Sequence, residues 1–191
     1  MKHTIHKIVK SATSFAKFLN TLSLLEYIGA RKILKSQHQA DINEQMIAHA
    51  IEELRHATVL KRSAQKFHPG HCLTYHPDEL LCGTEAVHYF QSLDHAVQNL
   101  LVNQHSKQAY LYTTYLIETR AIAFYTLFQD TLIELDMPSL FRGILIEENN
   151  HLTEMLNYLK NINTFTRDIK ILEAVEQKEF MDFMQIIDKS V

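Results

Sequence analysis

Apolar residues recur at helical spacing over most of this chain. Between Thr4 and Leu19, the residues Ile5, Ile8, Val9, Ala12, Phe15, Ala16 and Leu19 fall at intervals that line one face of an α-helix. The same spacing extends into Leu22, Leu25, Ile28 and Ile33, which allows one long first helix with Glu26 at its middle. Ser36-Gln37-His38-Gln39 is polar and reads as a turn. Asp41 or Asn43 can cap a second helix. That helix carries Ile42, Met46, Ile47, Ala50, Leu54, Ala57 and Leu60 on one broad face and continues to about Phe67, where Pro69-Gly70 ends it.

Residues 68–83 are the only stretch with the composition of a loop. Thr84 is a suitable cap for a third helix carrying Glu85, Val87, Phe90 and Leu93 and persisting through Leu101; a break near Asn103 is left open. A long helix then covers Tyr110 to about Asp130 and holds Glu118. Asp136-Met137-Pro138 reads as a turn with proline at the next helix start, and that helix runs through Glu148 and His151 to about Lys160. Thr164 or Thr166 can cap a closing amphipathic helix over residues 165–188. No strand-like alternation competes, so the expected class is all-α.

Composition agrees with long helices. The 191 residues are 46% hydrophobic with only four Gly and three Pro, which suits a single domain spanning 1–191. The net charge of -3 shows no overall basic excess and weighs against nucleic acid as a partner. The two cysteines, Cys72 and Cys82, form no CxxC pair, so a reducing cytoplasm is the expected location. Ala121 to Phe128 is the longest predominantly apolar run and is far too short for a membrane span. The amino terminus does not read as a secretory signal.

One arrangement occurs twice. Glu26, in the middle of a helix, is followed 27 residues later by Glu53-Leu54-Arg55-His56, and Glu118 is followed 30 residues later by Glu148-Asn149-Asn150-His151. In each case another glutamate, Glu52 or Glu147, stands directly before. Glutamate and histidine three residues apart share a helix face, so two antiparallel hairpins of similar plan are implied. Helix rise supports the first: Glu26 and Glu53 each lie about 16 Å from the turn at ~1.5 Å per residue. The second hairpin is level in the same way only if its first helix stops near Asp130.

Glu-x-x-His alone is a weak signal, since the Glu and His content gives roughly one match by chance, and Glu85-Ala86-Val87-His88 is such a match at a helix start. The conjunction is stronger. Glu26 and Glu118 both lie in nearly apolar surroundings, where a lone carboxylate is costly unless paired or liganded. Ion pairs with Arg31 and Arg120 are the plain alternative. Four glutamates and two histidines on four helices match the donor set that a pair of divalent metals takes in ferritin-like carboxylate bundles.

Glu-Glu-Leu-Arg-His at 52–56 resembles the (Asp/Glu)-Glu-x-Arg-His signature of the ferritin-like di-iron carboxylate superfamily, found in bacterioferritins and in the hydroxylases of bacterial multicomponent monooxygenases. The resemblance spans Glu26 to Lys160 and rests on short motifs. It implies a ferritin-like four-helix bundle of two antiparallel hairpins with a long crossover and additional helices. It also implies that Glu26, Glu53, His56, Glu118, Glu148 and His151 hold two iron ions, with manganese or a mixed pair as alternatives. Glu53 and Glu148 would bridge, and Glu52 and Glu147 would orient the histidine of the opposite helix. Arg55 would hold one of those acids in a buried ion pair.

Departures narrow the choice. Leu54 replaces the haem-ligating methionine of bacterioferritin, the paired CxxC motifs of rubrerythrin are absent, and the Asn149-Asn150 pair loosens the second match.

The implied activity is oxidation or hydroxylation of a small-molecule substrate with O2, the electron donor being unknown; iron handling, as ferroxidase or peroxide scavenger, is the alternative, and a metal-free interaction bundle the third class. No membrane partner is expected, and a homodimer is left open. Other features weigh less. His68, His71, Cys72, His76 and Cys82 fit no ordinary zinc spacing. Tyr115 and Tyr125 read as core residues before redox ones, and His49 as a half-exposed helix residue or a second layer behind the ligands. Lys61, Arg62, Lys66 and Lys107 do not make the basic rim expected of a tRNA hydroxylase.

Overall fold

The computed structural model describes residues 1–36, 42–101 and 106–191. Among them are seven α-helices, one 3-10 turn and no strand, so the protein is all-α. The helices are α1 (Lys2–Lys10), α2 (Ala12–Ser36), α3 (Glu44–Phe67), α4 (Gly83–Leu100), α5 (Ser106–Glu134), α6 (Arg142–Leu159) and α7 (Phe165–Ser190). The chain divides into two compact units, residues 1–88 with 183–191, and residues 89–182. No helix among the described residues is long and apolar enough to cross a membrane.

In the first unit, the long first helix breaks in two. Ser11 is extended (φ -110, ψ 117), and its Oγ accepts the Ser14 backbone N–H at 3.2 Å, so it caps α2 where unbroken apolar spacing suggested continuation. Ile5 and Ile8 of α1 and Phe15, Ala16, Phe18 and Leu19 of α2 are all buried. The expected turn at Gln37–Gln39 and the cap at Asp41 lie outside the described residues. The alternative cap, Asn43, accepts the Met46 N–H at 3.0 Å and starts α3.

A row of buried polar residues on α2 pins the 68–82 loop. Asn20 Nδ2 donates to the carbonyls of Thr74 and Glu79, each at 2.9 Å. Thr21 Oγ1 donates to the Leu81 carbonyl and accepts its N–H, and Ser23 Oγ lies 2.9 Å from the Tyr75 hydroxyl. Within the loop, Glu79 accepts from both the N–H and the hydroxyl of Thr74 at 2.7 Å. Helix α4 starts at Gly83, one residue ahead of the expected cap Thr84. Space requires glycine there, because a Cβ would sit 2.9 Å from Leu80 Cβ. The end of α7 joins this unit where Lys7 Nζ donates to the Asp188 carbonyl and Cys82 Sγ meets Ser190 Oγ.

In the second unit, α5 is apolar round most of its circumference, with Tyr112, Leu116, Phe124, Phe128 and Leu132 all buried. It does not stop near Asp130 but continues to Glu134. The reason is local: Thr131 and Leu132 remain buried, and the chain turns only at Asp136, in the left-handed region at φ 54. The Asp136 N–H donates to the Ile133 carbonyl and the Met137 N–H to the Leu132 carbonyl, the Schellman pattern of helix ends. Pro138 starts no helix; α6 begins four residues later, at Arg142.

The connection between them doubles back along α5. The N–H groups of Leu140 and Phe141 both donate to Gln129 Oε1 at 3.0 Å. The Phe141 ring stacks on Tyr125, centroids 4.8 Å apart, and lies 5.1 Å from Phe128. Helix α7 is fixed to α4 and α5 through Glu176, which takes Arg120 Nε at 2.8 Å, Arg120 Nη2 at 2.6 Å and the Tyr89 hydroxyl at 2.6 Å. Phe180 packs edge-on against Tyr89 and Phe124 beside them.

Candidate metal centre

Each unit buries one copy of the repeated motif. In the first, Glu26 on α2 meets Glu53 and His56 on α3. Their exposures are 8%, 5% and 0%, and one ligand atom of each lies within 4.8 Å of those of the other two. Two observations explain why they are level. Ser23 Oγ donates to the Ala57 carbonyl at 2.7 Å, fixing the height of α2 against α3. One turn after Glu26 on α2, Gly29 brings its backbone beside Glu53 Oε2.

His49 joins this group. It is one turn before Glu53 on the same face of α3, it is 6% exposed, and its Nε2 lies 3.1 Å from Glu53 Oε1. His56 Nδ1 stands 3.9 Å from the other oxygen, Oε2. Glu53 is thus flanked by two imidazoles. The signal was present as His-x-x-x-Glu-x-x-His, but a single histidine one turn from a ligand is not distinctive by itself.

In the second unit, His151 Nδ1 lies 3.1 Å from Glu148 Oε2 on its own helix and 3.9 Å from Glu118 Oε1 on α5. Exposures are 4%, 1% and 4% for Glu118, Glu148 and His151. These residues meet even though α5 overruns Asp130, because the ring stack sets the height. Glu118 lies seven residues before Tyr125 on α5, Glu148 seven residues after Phe141 on α6. Equal counts from stacked rings, in antiparallel directions, bring the two carboxylates level.

Electrostatics then favour a cation. At a separation near 4.8 Å, two carboxylates repel by about 3–4 kcal/mol at an effective dielectric constant near 20. The arginines that offered a plain explanation are engaged elsewhere: Arg120 with Glu176 and Gln177, and Arg31 over the Tyr27 ring. Oxygen and imidazole donors without thiolate suit a divalent metal ion. Buried histidine and glutamate groups that could hold a metal ion are therefore present in an all-helical protein, an arrangement compatible with a ferritin-like fold.

Neighbouring expectations fare differently. Glu52 and Glu147 are half-buried, and Arg55 is exposed. The 68–82 histidines and cysteines form no metal group among the described residues. The rings of His68 and His71 stack on each other at 3.9 Å, and the buried Cys72 thiol faces the Glu79 carbonyl. Tyr125 is a packing residue against Phe141, and Tyr115 meets Phe165 edge-on. The Lys107 side chain lies outside the described residues.

No known protein family, curated protein or solved structure matches the chain.

Proposed function

We propose that the two half-sites together hold a pair of iron ions in a ferritin-like bundle, and that the protein is a di-iron carboxylate oxidoreductase using O2 on a small-molecule substrate. The observation that carries this reading is the repetition itself, with two helical hairpins each burying two glutamates and a histidine at one level. In the proposed assignment, Glu26, Glu53, His56, Glu118, Glu148 and His151 would hold the ions, and His49, whose Nε2 lies 3.1 Å from Glu53 Oε1, would be an added nitrogen donor.

When bound and reduced, such an ion pair supplies electrons to O2 for attack on a C–H bond or an aldehyde. The chain contributes the rest. Four buried glutamates carry the charge that balances two divalent cations. The apolar residues around Glu26 and Glu118 exclude water from the carboxylates and strengthen their hold on a cation. The Ser23 and Phe141 anchors hold the helices level, so the ligands need no rearrangement to bind.

The deciding experiment is metal analysis of protein grown in iron-supplemented medium, with an optical spectrum after the reduced form meets O2. About two iron atoms per chain are expected, and retention of full iron by both Glu53→Ala and His151→Ala would falsify the assignment. Sizing chromatography separates an enzyme, expected as monomer or dimer, from an iron-storage shell of many copies.

A further inference from the structure

A cavity of about 350 Å³ lies along α3, lined by residues of α2, α3 and the 68–82 loop. It falls within the size range of small-ligand sites. Tyr27 of α2 and Tyr75 of the 68–82 loop form its aromatic wall, their rings stacked with centroids 5.6 Å apart and planes 29° apart. Leu54 and Ala57 supply an apolar floor. Lys61 and Arg62 supply two positive charges, and no carboxylate lines the cavity.

The two cations are placed differently. The Lys61 ammonium sits 3.8 Å from the centre of the Tyr75 ring and donates to Asn20 Oδ1 at 2.8 Å and the Thr74 carbonyl at 3.2 Å. These hydrogen-bond partners are neutral, and the nearest carboxylate acting on Lys61, Glu79, is bound to Thr74. Arg62 is exposed and makes no hydrogen bond or ion pair with the described residues, leaving its planar fork available. Burial pushes the Lys61 pKa down, and the nearby Glu79 carboxylate offsets only part of that.

We infer that this cavity binds a small planar aromatic anion, with its ring against Tyr27 and Tyr75 and its carboxylate or phosphate on Arg62 and Lys61. The aromatic wall and Leu54 supply apolar and edge contacts for a flat ring, and the guanidinium supplies paired hydrogen bonds to an oxyanion. None of the six proposed metal ligands lines the cavity, so the inference does not require the metal reading.

The test is calorimetric titration of the full chain with phenyl phosphate and with benzoate, which separates the two oxyanions on a common ring. Inorganic phosphate serves as the probe of charge alone and phenol as the probe of the ring alone. At least one aromatic anion is expected to bind with a Kd at or below about 1 mM, at least tenfold more tightly than either single-feature probe. Arg62→Ala and Tyr27→Leu should each weaken it at least tenfold, with the thermal melt of each variant showing that it is folded. Amide NMR shifts on titration should centre on residues 58–65 and 75. Three results would overturn the inference: no saturable binding of either aromatic anion, inorganic phosphate binding as tightly as phenyl phosphate, or affinity unchanged in both folded variants.

Discussion

At the scale of single residues, charge placement decides most outcomes. The Glu176 carboxylate receives both Arg120 and Tyr89 in a largely water-free setting. Burial alone would lower the Arg120 pKa, and Glu176 more than reverses this. Removing one partner leaves the other charge stranded, so Arg120→Ala should cost roughly 2–4 kcal/mol in urea unfolding. Arg120→Lys should recover only part of that, since an ammonium cannot make the paired contact.

Glu79 gives a pH-dependent counterpart. Hydrogen bonds from the Thr74 hydroxyl and N–H hold its carboxyl below the usual range. A carboxyl with a depressed folded pKa stabilises fully above its unfolded pKa, about 4.3, and that stabilisation is lost as pH falls through the folded pKa. The Tm gap between the native chain and Glu79→Gln should therefore be steady from neutral pH down to about 5 and close as the pH falls below 4. A gap that widens in acid would contradict this.

Some residues were legible and others were not, for a physical reason. Glu26 and Glu118 could be found because a carboxylate in an apolar stretch is costly without a partner. Their partners could not be read: Arg120 is two residues from Glu118 but serves Glu176, which is distant in sequence. His49 looked half-exposed because one-dimensional spacing does not show how deeply a helix is covered.

At the scale of elements, apolar spacing located helices well but not their ends. Ends depend on single backbone bonds, such as the Ser11 side-chain cap and the left-handed Asp136. Glycine adopts that conformation without a Cβ penalty, so Asp136→Gly should raise stability by up to about 1 kcal/mol in chemical unfolding. Gln129→Leu tests the doubled-back connection from the other side. It removes the acceptor of two backbone N–H groups, and a loss of about 1–3 kcal/mol is expected in the same assay. On the proposed metal reading, its iron content should fall as well, because α6 loses part of what sets its height.

At the scale of the whole molecule, the all-α class was readable because four glycines and three prolines leave little to interrupt helices. The division into two compact units was not, since α4 and α7 each pass from one unit into the other and carry no break in pattern there. If the half-sites share iron, bound metal should stabilise the folded chain by mass action. Chelation should then lower the Tm of the native protein and leave that of Glu53→Ala unmoved, as read by differential scanning calorimetry.

The stacked pair of Tyr125 and Phe141 has a consequence for tolerance to change in length. Because the rings, and not the length of the turn, bring Glu118 level with Glu148, the stretch around Asp136 to Pro138 acts as slack chain. Closing a longer loop costs little, about 0.6 kcal/mol for each doubling. Several residues inserted after Met137 should leave both carboxylates where they are, whereas a single residue inserted between Phe141 and Glu148 should turn Glu148 about 100° away from its partners. Natural or engineered variation in this hairpin is thus confined to one side of a ring.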